Sequence, residues 1–465
     1  MSNECSCGGE RCNCALDFQT PVEFIEFLRQ EAGSDPQTVA IAWEREDGYV
    51  SRYDLDIPKR IAPDMTGVVV RTVERCVKFL LWSAGGWKLW LSGPDEIVKP
   101  VAADYTKDGA RKFDWEFMSD LYGREMQVEI VPLKNMPQER ERAIIIKSRT
   151  DGNRIGFDLG ASDFKISALR EGEVVFSEEF PWDPRNQPDP EYHYTKLSEG
   201  LEAAAKALGG KVDAIGGSSA GTFVGKKIGV ASLFRAVREK NPQRYSEAQN
   251  LFLRIEDEWK VPFEVFNDGD VTALAGAIAM GRNGILGVAM GSSEAVGFIN
   301  TNGALTGRIS ELAFAPADMN TAAPADEWSR DQGVGCMYFS QQAVNFLATS
   351  FGFEFPETMG LPDRLKEVQA AVAKGDDRAV QVYLKMGREL AETVPWYGEF
   401  YDFDNLMILG RVTSGVGGSI LLNEARMHLE EFDPELAEKV EIFMPDEKAR
   451  RLGQSVAAAQ IPAIG

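Results

Sequence analysis

The chain has no apolar run approaching the ~20 residues that a membrane-spanning helix needs, and its first residues lack the basic-then-apolar order of a secretory leader. Membrane insertion and export are not expected, and cytoplasmic residence is the default. Strongly basic segments are missing as well. Acidic residues number 72 against 50 basic ones, a net charge of −22. Such a field repels phosphate backbones, so no nucleic-acid partner is expected. Cysteine is scarce: four of the six lie at the start of the chain, as Cys5-x-Cys7 and Cys12-x-Cys14. A cytosolic address disfavours disulfides. Two Cys-x-Cys pairs can set four thiolates around one Zn²⁺, although the loops are shorter than those of common zinc modules. A zinc-binding or redox tag and a disordered, thiol-bearing tail both remain open. Cys76 sits in an apolar helical stretch and is expected in the core.

What is present is the make-up of a globular enzyme. The apolar share is 44 %, and 465 residues are too many for one core, which suggests two or three domains. Residues 1–20 are a Cys-rich tail. Residues 21–150 read as a folded α/β addition with no legible role. Within it Pro21–Ala32 reads as a capped amphipathic helix and residues 38–43 as a strand. Strands at 66–70 and 88–91 are expected to bracket a helix at 73–82 that ends at Gly85-Gly86, a βαβ unit. The aromatic run from Phe113 through Trp115 to Phe117 has the spacing of core packing and precedes a strand at 128–131. A strand at 143–147 follows.

The most informative stretch is 154–169. An apolar run reaches Asp158, turns at Leu159-Gly160-Ala161-Ser162 and resumes alternation at Ile166 and Ala168, the pattern of a β-hairpin. Gly160 removes the side chain that would block a phosphate. Ser162 and the turn amides can donate to phosphate oxygens, and Asp158 can hold Mg²⁺ directly or through water. Lys165 could neutralise phosphate charge or simply be solvated. Taken alone, the stretch is more simply a tight turn between core strands.

Three further strand ends carry small residues or acids. Residues 261–266 run into Asn267-Asp268-Gly269-Asp270 and an Ala/Gly-rich helix, where a plain Asn-Asp-Gly turn with Asp270 as N-cap is the simplest reading. Ile285–Met290 runs into Gly291-Ser292-Ser293-Glu294 before a strand at 296–300. Residues 406–409 run into Gly410 and then Thr413-Ser414-Gly415-Val416-Gly417-Gly418 before a helix at 419–429, where the glycines fit a helix start with a flexible turn. An apolar strand at 212–216 ends in Ser218-Ser219 on the same sheet edge, and Ser219 could contact a substrate. The loop at 180–194, with Trp182 and His193, could fold over a cleft, although a surface connection is simpler. Residues 361–394 read as two amphipathic scaffold helices.

Four such strand ends in this order resemble the ATPase fold shared by actin, the heat-shock chaperone ATPases and the sugar kinases. Within it the chain resembles the ROK family of repressors, open reading frames and kinases, over roughly residues 151 to 460. The resemblance implies a two-lobed α/β fold of the actin-like, ribonuclease H-like kind. Residues 151–280 would form the first lobe and 281–446 the second, with a C-terminal helix at 447–465 returning to the first. Asp158-Leu159-Gly160-Ala161-Ser162 matches the family's first phosphate motif. Gly291-Ser292-Ser293 occupies the second, where Glu294 is a departure expected to disturb the phosphate contacts. Asn267-Asp268 matches the catalytic strand end. The resemblance makes Asp268 the catalytic base and Asn267 and Glu311 substrate ligands, with Asp158 near Mg²⁺. Gly410, Gly415, Gly417 and Gly418 would let the backbone approach adenine and ribose.

Family members also carry Gly-Glu-x-Gly-His and a Cys-rich loop ending Gly-Cys-x-Glu, which bind zinc and grip the sugar. Here these read Ser310-Glu311-Leu312-Ala313-Phe314 and Gly333-Val334-Gly335-Cys336-Met337-Tyr338. With one thiol and no nearby imidazole, the family's zinc site is not expected. The resemblance implies ATP and Mg²⁺, a sugar or polyol substrate in carbohydrate metabolism, and a homodimer. Two functions follow as expectations: ATP-dependent phosphoryl transfer to a hydroxyl of a sugar, amino sugar or polyol, or a non-catalytic sugar- or nucleotide-sensing member. The helix-turn-helix of the family's repressor branch has no convincing counterpart here.

Overall fold

The computed structural model describes residues 16–145, 149–160, 163–445 and 453–464. Cys5, Cys7, Cys12 and Cys14, together with Ala161 and Ser162, lie outside the described residues. Among the described residues no helix is long and apolar enough to cross a membrane.

The N-terminal module opens with the helix Pro21–Ala32, then an antiparallel hairpin of β1 (Pro36–Glu44) and β2 (Val50–Pro58). β3 (Lys88–Ser92) joins β1 antiparallel and β4 (Gln127–Ile130) joins β3 parallel, giving the order β2-β1-β3-β4. The stretch 66–70 is not the expected strand. It is the first turn of one helix, Thr66–Ala84, whose valines extend a helical stripe through Val69, Val73, Val77 and Leu80, all buried. That helix is buried on two sides, and its charged residues Glu74, Arg75 and Lys78 are buried with it. Towards the module's sheet, Trp43 Nε1 donates to the Val77 carbonyl at 3.0 Å. On its other side Phe79 meets Trp396 and Phe400 of the second lobe, with ring centroids 4.7 and 4.5 Å apart. Module and second lobe therefore share one hydrophobic core.

β5 (Ile144–Ile145) leads out of the module into the first lobe. There β6 (Asn153–Leu159), β7 (Asp163–Arg170) and β8 (Glu173–Pro181) form an antiparallel meander. β9 (Ala214–Ser219) lies parallel to β6; a small hairpin of β10 (Thr222–Val224) and β11 (Lys227–Val230) follows, and β12 (Phe263–Asn267) lies parallel to β9. The sheet order is β12-β9-β6-β7-β8. The long loop expected at 180–194 is short. β8 runs to Pro181, and the helix Pro190–Ala207 begins at the Asp189 cap, whose carboxylate accepts from the Glu191 N–H at 3.1 Å. Trp182 and His193 are buried in this lobe and not poised over a cleft.

The second lobe is built on β13 (Ile285–Met290), β14 (Glu294–Ile299), β16 (Asn405–Leu409) and β17 (Glu441–Phe443), ordered β14-β13-β16-β17. β15 (Ala304–Leu305) pairs with β5. The helices Leu361–Ala373 and Asp377–Gly398 bury their apolar faces in this lobe. The helix Asp268–Met280 follows a first-lobe strand yet packs on β13 and β14, so it lies between the lobes rather than inside the first. The C-terminal helix Gln454–Ala459 packs on β6, β7 and β9. Its approach requires glycine beneath it: a Cβ on Gly156 or Gly216 would stand 1.8 Å from the Ser455 or the Ala458 carbonyl oxygen.

Candidate active site

Parallel strands β6, β9 and β12 bring their carboxyl ends to one edge. Register sets Asp158 beside Ser218, and Ser219 beside both Leu159 and Asn267. Ser218 Oγ donates to Asp158 Oδ1 at 2.7 Å. Burial raises the Asp158 carboxyl to about 6; the Ser218 bond opposes the rise, the charges of Asp268 and Asp163 add to it, and Lys165 lowers it. Lys165 stands directly across the hairpin from Asp158. Gly160 closes the turn, donating to the Asp163 carbonyl at 3.1 Å and accepting from Trp182 Nε1 at 3.0 Å. Ser219, expected to reach the substrate, is fully buried, with Oγ 3.3 Å from the Ala220 carbonyl. Ser218, equally buried, is the serine bonded to Asp158. Its signal was the register: it pairs with Asp158 itself.

Asn267 caps the next helix. Its Oδ1 accepts from the Gly269 N–H at 2.7 Å, and its Nδ2 donates to the Gly221 carbonyl at 2.9 Å, tying β12 to the start of the β10–β11 hairpin. Asp268 is the first residue of the helix Asp268–Met280, at the positive end of its dipole. Its Oδ1 accepts from the Gly269 N–H at 3.0 Å, and burial raises its pKa. Asp270 is not the cap. Its buried carboxyl accepts from the Phe298 N–H at 3.0 Å, which fastens the helix to β14, and burial raises it to about 7.

Glu311 is positioned by the N-terminal module. The last carbonyls of a helix have no partner within it; here Trp82 O accepts from the Glu311 N–H at 2.8 Å and Ser83 O from the Ser310 N–H at 2.9 Å. Burial, then the charge of Asp268, raises Glu311 to about 7. Asp158, Asp268 and Glu311 all keep some accessible surface. Asp268 thus lies within electrostatic reach of Asp158 on the first lobe and of Glu311 on the second.

The departures at 294, 314 and 338 have structural partners. Phe314 packs against Trp82 at 4.8 Å and Phe113 at 5.3 Å between ring centroids. Tyr338 Oη donates to Asp318 Oδ2 in the core. Glu294 is buried at the start of β14. Its side chain turns inward, where Oε1 accepts from Tyr397 Oη at 3.2 Å while Oε2 is buried without a partner, and burial raises it to about 8. Among the described residues no group of three His, Cys, Asp or Glu side chains is set to hold a metal ion. Cys336 Sγ instead lies 3.6 Å from Asp326 Oδ1. The loop that carries Cys336 is held by charge: Asp331 Oδ2 receives Lys78 Nζ at 2.6 Å and the guanidinium groups of Arg75 and Arg111, each at 2.9 Å. Burial would raise Asp331, but Arg75 and Lys78 outweigh it and hold it at about 2.

At the end of β13 the Gly291 N–H donates to the Ser293 carbonyl at 3.0 Å, and Ser292 and Ser293 are exposed. β16 ends alongside, where Gly410 adopts φ 103° against Met290. Gly415 is exposed at the start of the helix Gly415–Phe432. Gly417 and Gly418, expected to face a nucleotide, are buried; a Cβ would meet the Tyr383 ring at 2.4 Å and the Thr413 carbonyl at 1.8 Å. Gly417 lets the helix lie against the Tyr383 ring, and Gly418 lets its first turn close on the Thr413 carbonyl.

No protein-family model matches this chain, and no curated protein sequence matches it. Solved structures do. A ROK hexokinase from Thermus thermophilus aligns with a TM-score of 0.52 at 17 % identity, covering 67 % of this chain and 97 % of its own. A ROK family transcriptional regulator, described as a homologue of the E. coli MLC protein, aligns with a TM-score of 0.51 at 16 % identity, covering 66 % of this chain and 78 % of its own. Strand ends, interlobe helix and returning C-terminal helix thus compose the two-lobed, actin-like α/β fold of the ROK proteins, to which this chain adds an N-terminal module.

Proposed function

We propose that this protein transfers a phosphoryl group from ATP to a hydroxyl of a sugar or sugar-like polyol, with Asp268 as the general base. The observation that carries this reading is that Asp268, at the carboxyl end of β12, lies within electrostatic reach of both Asp158 and Glu311, each of the three with a raised pKa. The residues present fit MgATP: a carboxylate at Asp158, a side-chain-free turn at Gly160, and exposed hydroxyls at Ser292 and Ser293 on the opposite lobe. Bound MgATP would supply the phosphoryl group and the cationic charge that stabilises its transfer. Asp268, oriented by the Gly269 N–H, takes the proton of the attacking hydroxyl, and its burial makes it a stronger base than a solvated aspartate. Glu311 accepts a hydrogen bond from a neighbouring hydroxyl and so orients the acceptor. Closure of the lobes excludes water from the transfer. The hexokinase of the same fold supports this reading.

A second reading is a sugar-sensing protein without transfer activity. It is favoured by Phe314 and Tyr338, whose side chains pack where the family resemblance calls for sugar ligands, and by the regulator of the same fold. A coupled ADP-release assay with MgATP against hexoses, amino sugars and polyols separates the two. Release that needs one acceptor and vanishes in Asp268→Asn supports the kinase. Nucleotide binding with no acceptor-dependent release by the wild type overturns it in favour of the sensor.

A further inference from the structure

We propose that Ser310 is a positioning residue that fixes the backbone from which Glu311 reaches the acceptor, clamped between the module's helix Thr66–Ala84 and Tyr401 of the second lobe. The N-terminal module thereby becomes a working part of the acceptor site. This deepens the function proposed above and rests on it. Among the described residues five that are not glycine adopt a left-handed backbone: Asp47, Glu171, Lys260, Ser310 and Arg330. Asp47, Glu171, Lys260 and Arg330 are exposed. Ser310, at φ 47°, is buried, 3 % exposed, and stands where the family motif has glycine. A side chain in that region is strained, and it stays there only when the surrounding contacts outweigh the strain.

Those contacts come from two sides. On the module's side the Ser310 and Glu311 N–H groups donate to Ser83 O at 2.9 Å and to Trp82 O at 2.8 Å, and a Cβ on Gly85, at the helix end, would stand 3.0 Å from Ile309 Cγ2. On the second lobe's side Tyr401 Oη donates to Ser310 Oγ at 3.2 Å, and Arg308 Nη1 donates to the Phe400 carbonyl at 2.6 Å. Tyr401 is itself fixed, buried with its ring centroid 4.9 Å from that of Phe298 on β14. Residues 308–311 are thus tied at every position before any ligand arrives. The Glu311 side chain is the exception. Burial and the charge of Asp268 account for its raised pKa, with no hydrogen bond among the causes, so among the described residues its oxygens are left to a ligand. A fixed backbone under an uncommitted carboxylate preorganises a hydrogen-bond acceptor. Glycine would make the same turn with free rotation, and it would leave Tyr401 without the serine hydroxyl.

Two variants of the full chain, Ser310→Gly and Ser310→Ala, separate positioning from stability. Both lose the hydroxyl that meets Tyr401, but glycine adopts the left-handed turn without strain and alanine does not. The glycine variant should therefore melt above the alanine variant, yet hold Glu311 less firmly. Hydrogen exchange of the peptide spanning 308–315 should be faster in Ser310→Gly than in the wild type. In the ADP-release assay with MgATP and D-glucose, D-mannose, D-glucosamine or sorbitol, the KM of the acceptor used should rise about fivefold or more in Ser310→Gly. The rise should be smaller in Ser310→Ala, and the KM for MgATP should not change in either. In a Glu311→Gln background Ser310→Gly should raise the acceptor KM no further, since the two act as one unit. Exchange equal to that of the wild type, an unchanged acceptor KM, or a larger rise in the less stable alanine variant overturns the proposal while the kinase reading stands. No acceptor-dependent release by the wild type sinks the proposed function and this inference together.

Discussion

Asp331 Oδ2 lies 2.6 Å from Lys78 Nζ, joining the second lobe's loop to the helix Thr66–Ala84 of the N-terminal module. Arg75 and Arg111 converge on the same carboxylate. Removing a buried counter-charge leaves its partners uncompensated, so Asp331→Asn should destabilise the protein by about 3 kcal/mol or more. Glu74 and Asp114, which also face these cations, keep the loss from growing further. Denaturant unfolding measures it. Because the carboxyl is held at about 2, below its ordinary 3.8, its contribution is fully present above pH 3.8 and disappears as pH falls through 2. The variant and the wild type should therefore converge in stability in strong acid.

Asp268 must be charged to accept a proton, and burial lifts its pKa above the ordinary 3.8. Turnover should rise with pH along an acid limb centred above that value. A pH profile of kcat with the preferred acceptor reads the limb directly, and a limb at or below 3.8 would assign the base to another group.

Glu294 is a buried carboxyl with one oxygen unpartnered and a pKa lifted to about 8 from 4.5. A raised carboxyl stabilises the fold most below its unfolded pKa, and that contribution is lost as pH rises through the folded value. Glu294→Gln keeps the neutral shape at every pH. Its melting temperature should exceed that of the wild type by a margin that widens from pH 5 to pH 8. A margin independent of pH would mean that the carboxyl does not titrate in this range.

Gly216→Ala should push the C-terminal helix off the first-lobe sheet, since its Cβ would stand 1.8 Å from a backbone carbonyl. Overpacking of this kind costs about 1–3 kcal/mol. The same helix carries Gln454, whose Nε2 donates to the Asp268 carbonyl at 3.3 Å. Turnover should therefore fall with stability in this variant. Thermal unfolding and the ADP-release assay on one preparation check both.

The strand ends were legible because apolar runs closing on Asp158, Asn267-Asp268 and Gly291 are local patterns, and the sheet register then brought them to common edges. The helix Thr66–Ala84 was misread at its start because Val68, Val69 and Val70 fit a strand as well as a helix buried on both sides. Asp189-Pro190 was a readable cap and first-turn proline, passed over in favour of a long loop. Phe314, Tyr338 and Glu294 looked like losses because their partners lie far away in sequence. Trp82 and Phe113 explain Phe314, Asp318 explains Tyr338, and Tyr397 explains Glu294. No periodicity or spacing encodes such pairings.

The shared core of the module and the second lobe makes the first lobe an insertion within a split domain. The first lobe closes one core from an unbroken segment, from Ile155 to Val265, and only the other face of its sheet waits for the C-terminal helix, while the flanking core joins Val22 to Ile442. A ribosome therefore delivers half of one domain, then most of a second one, and only afterwards the half that completes the first. Until then the Phe79 face of the module's long helix has no counterpart, and exposed apolar surface of this kind is what aggregates or recruits chaperones. A chain truncated after residue 280 should yield a first lobe that resists protease better than the module attached to it.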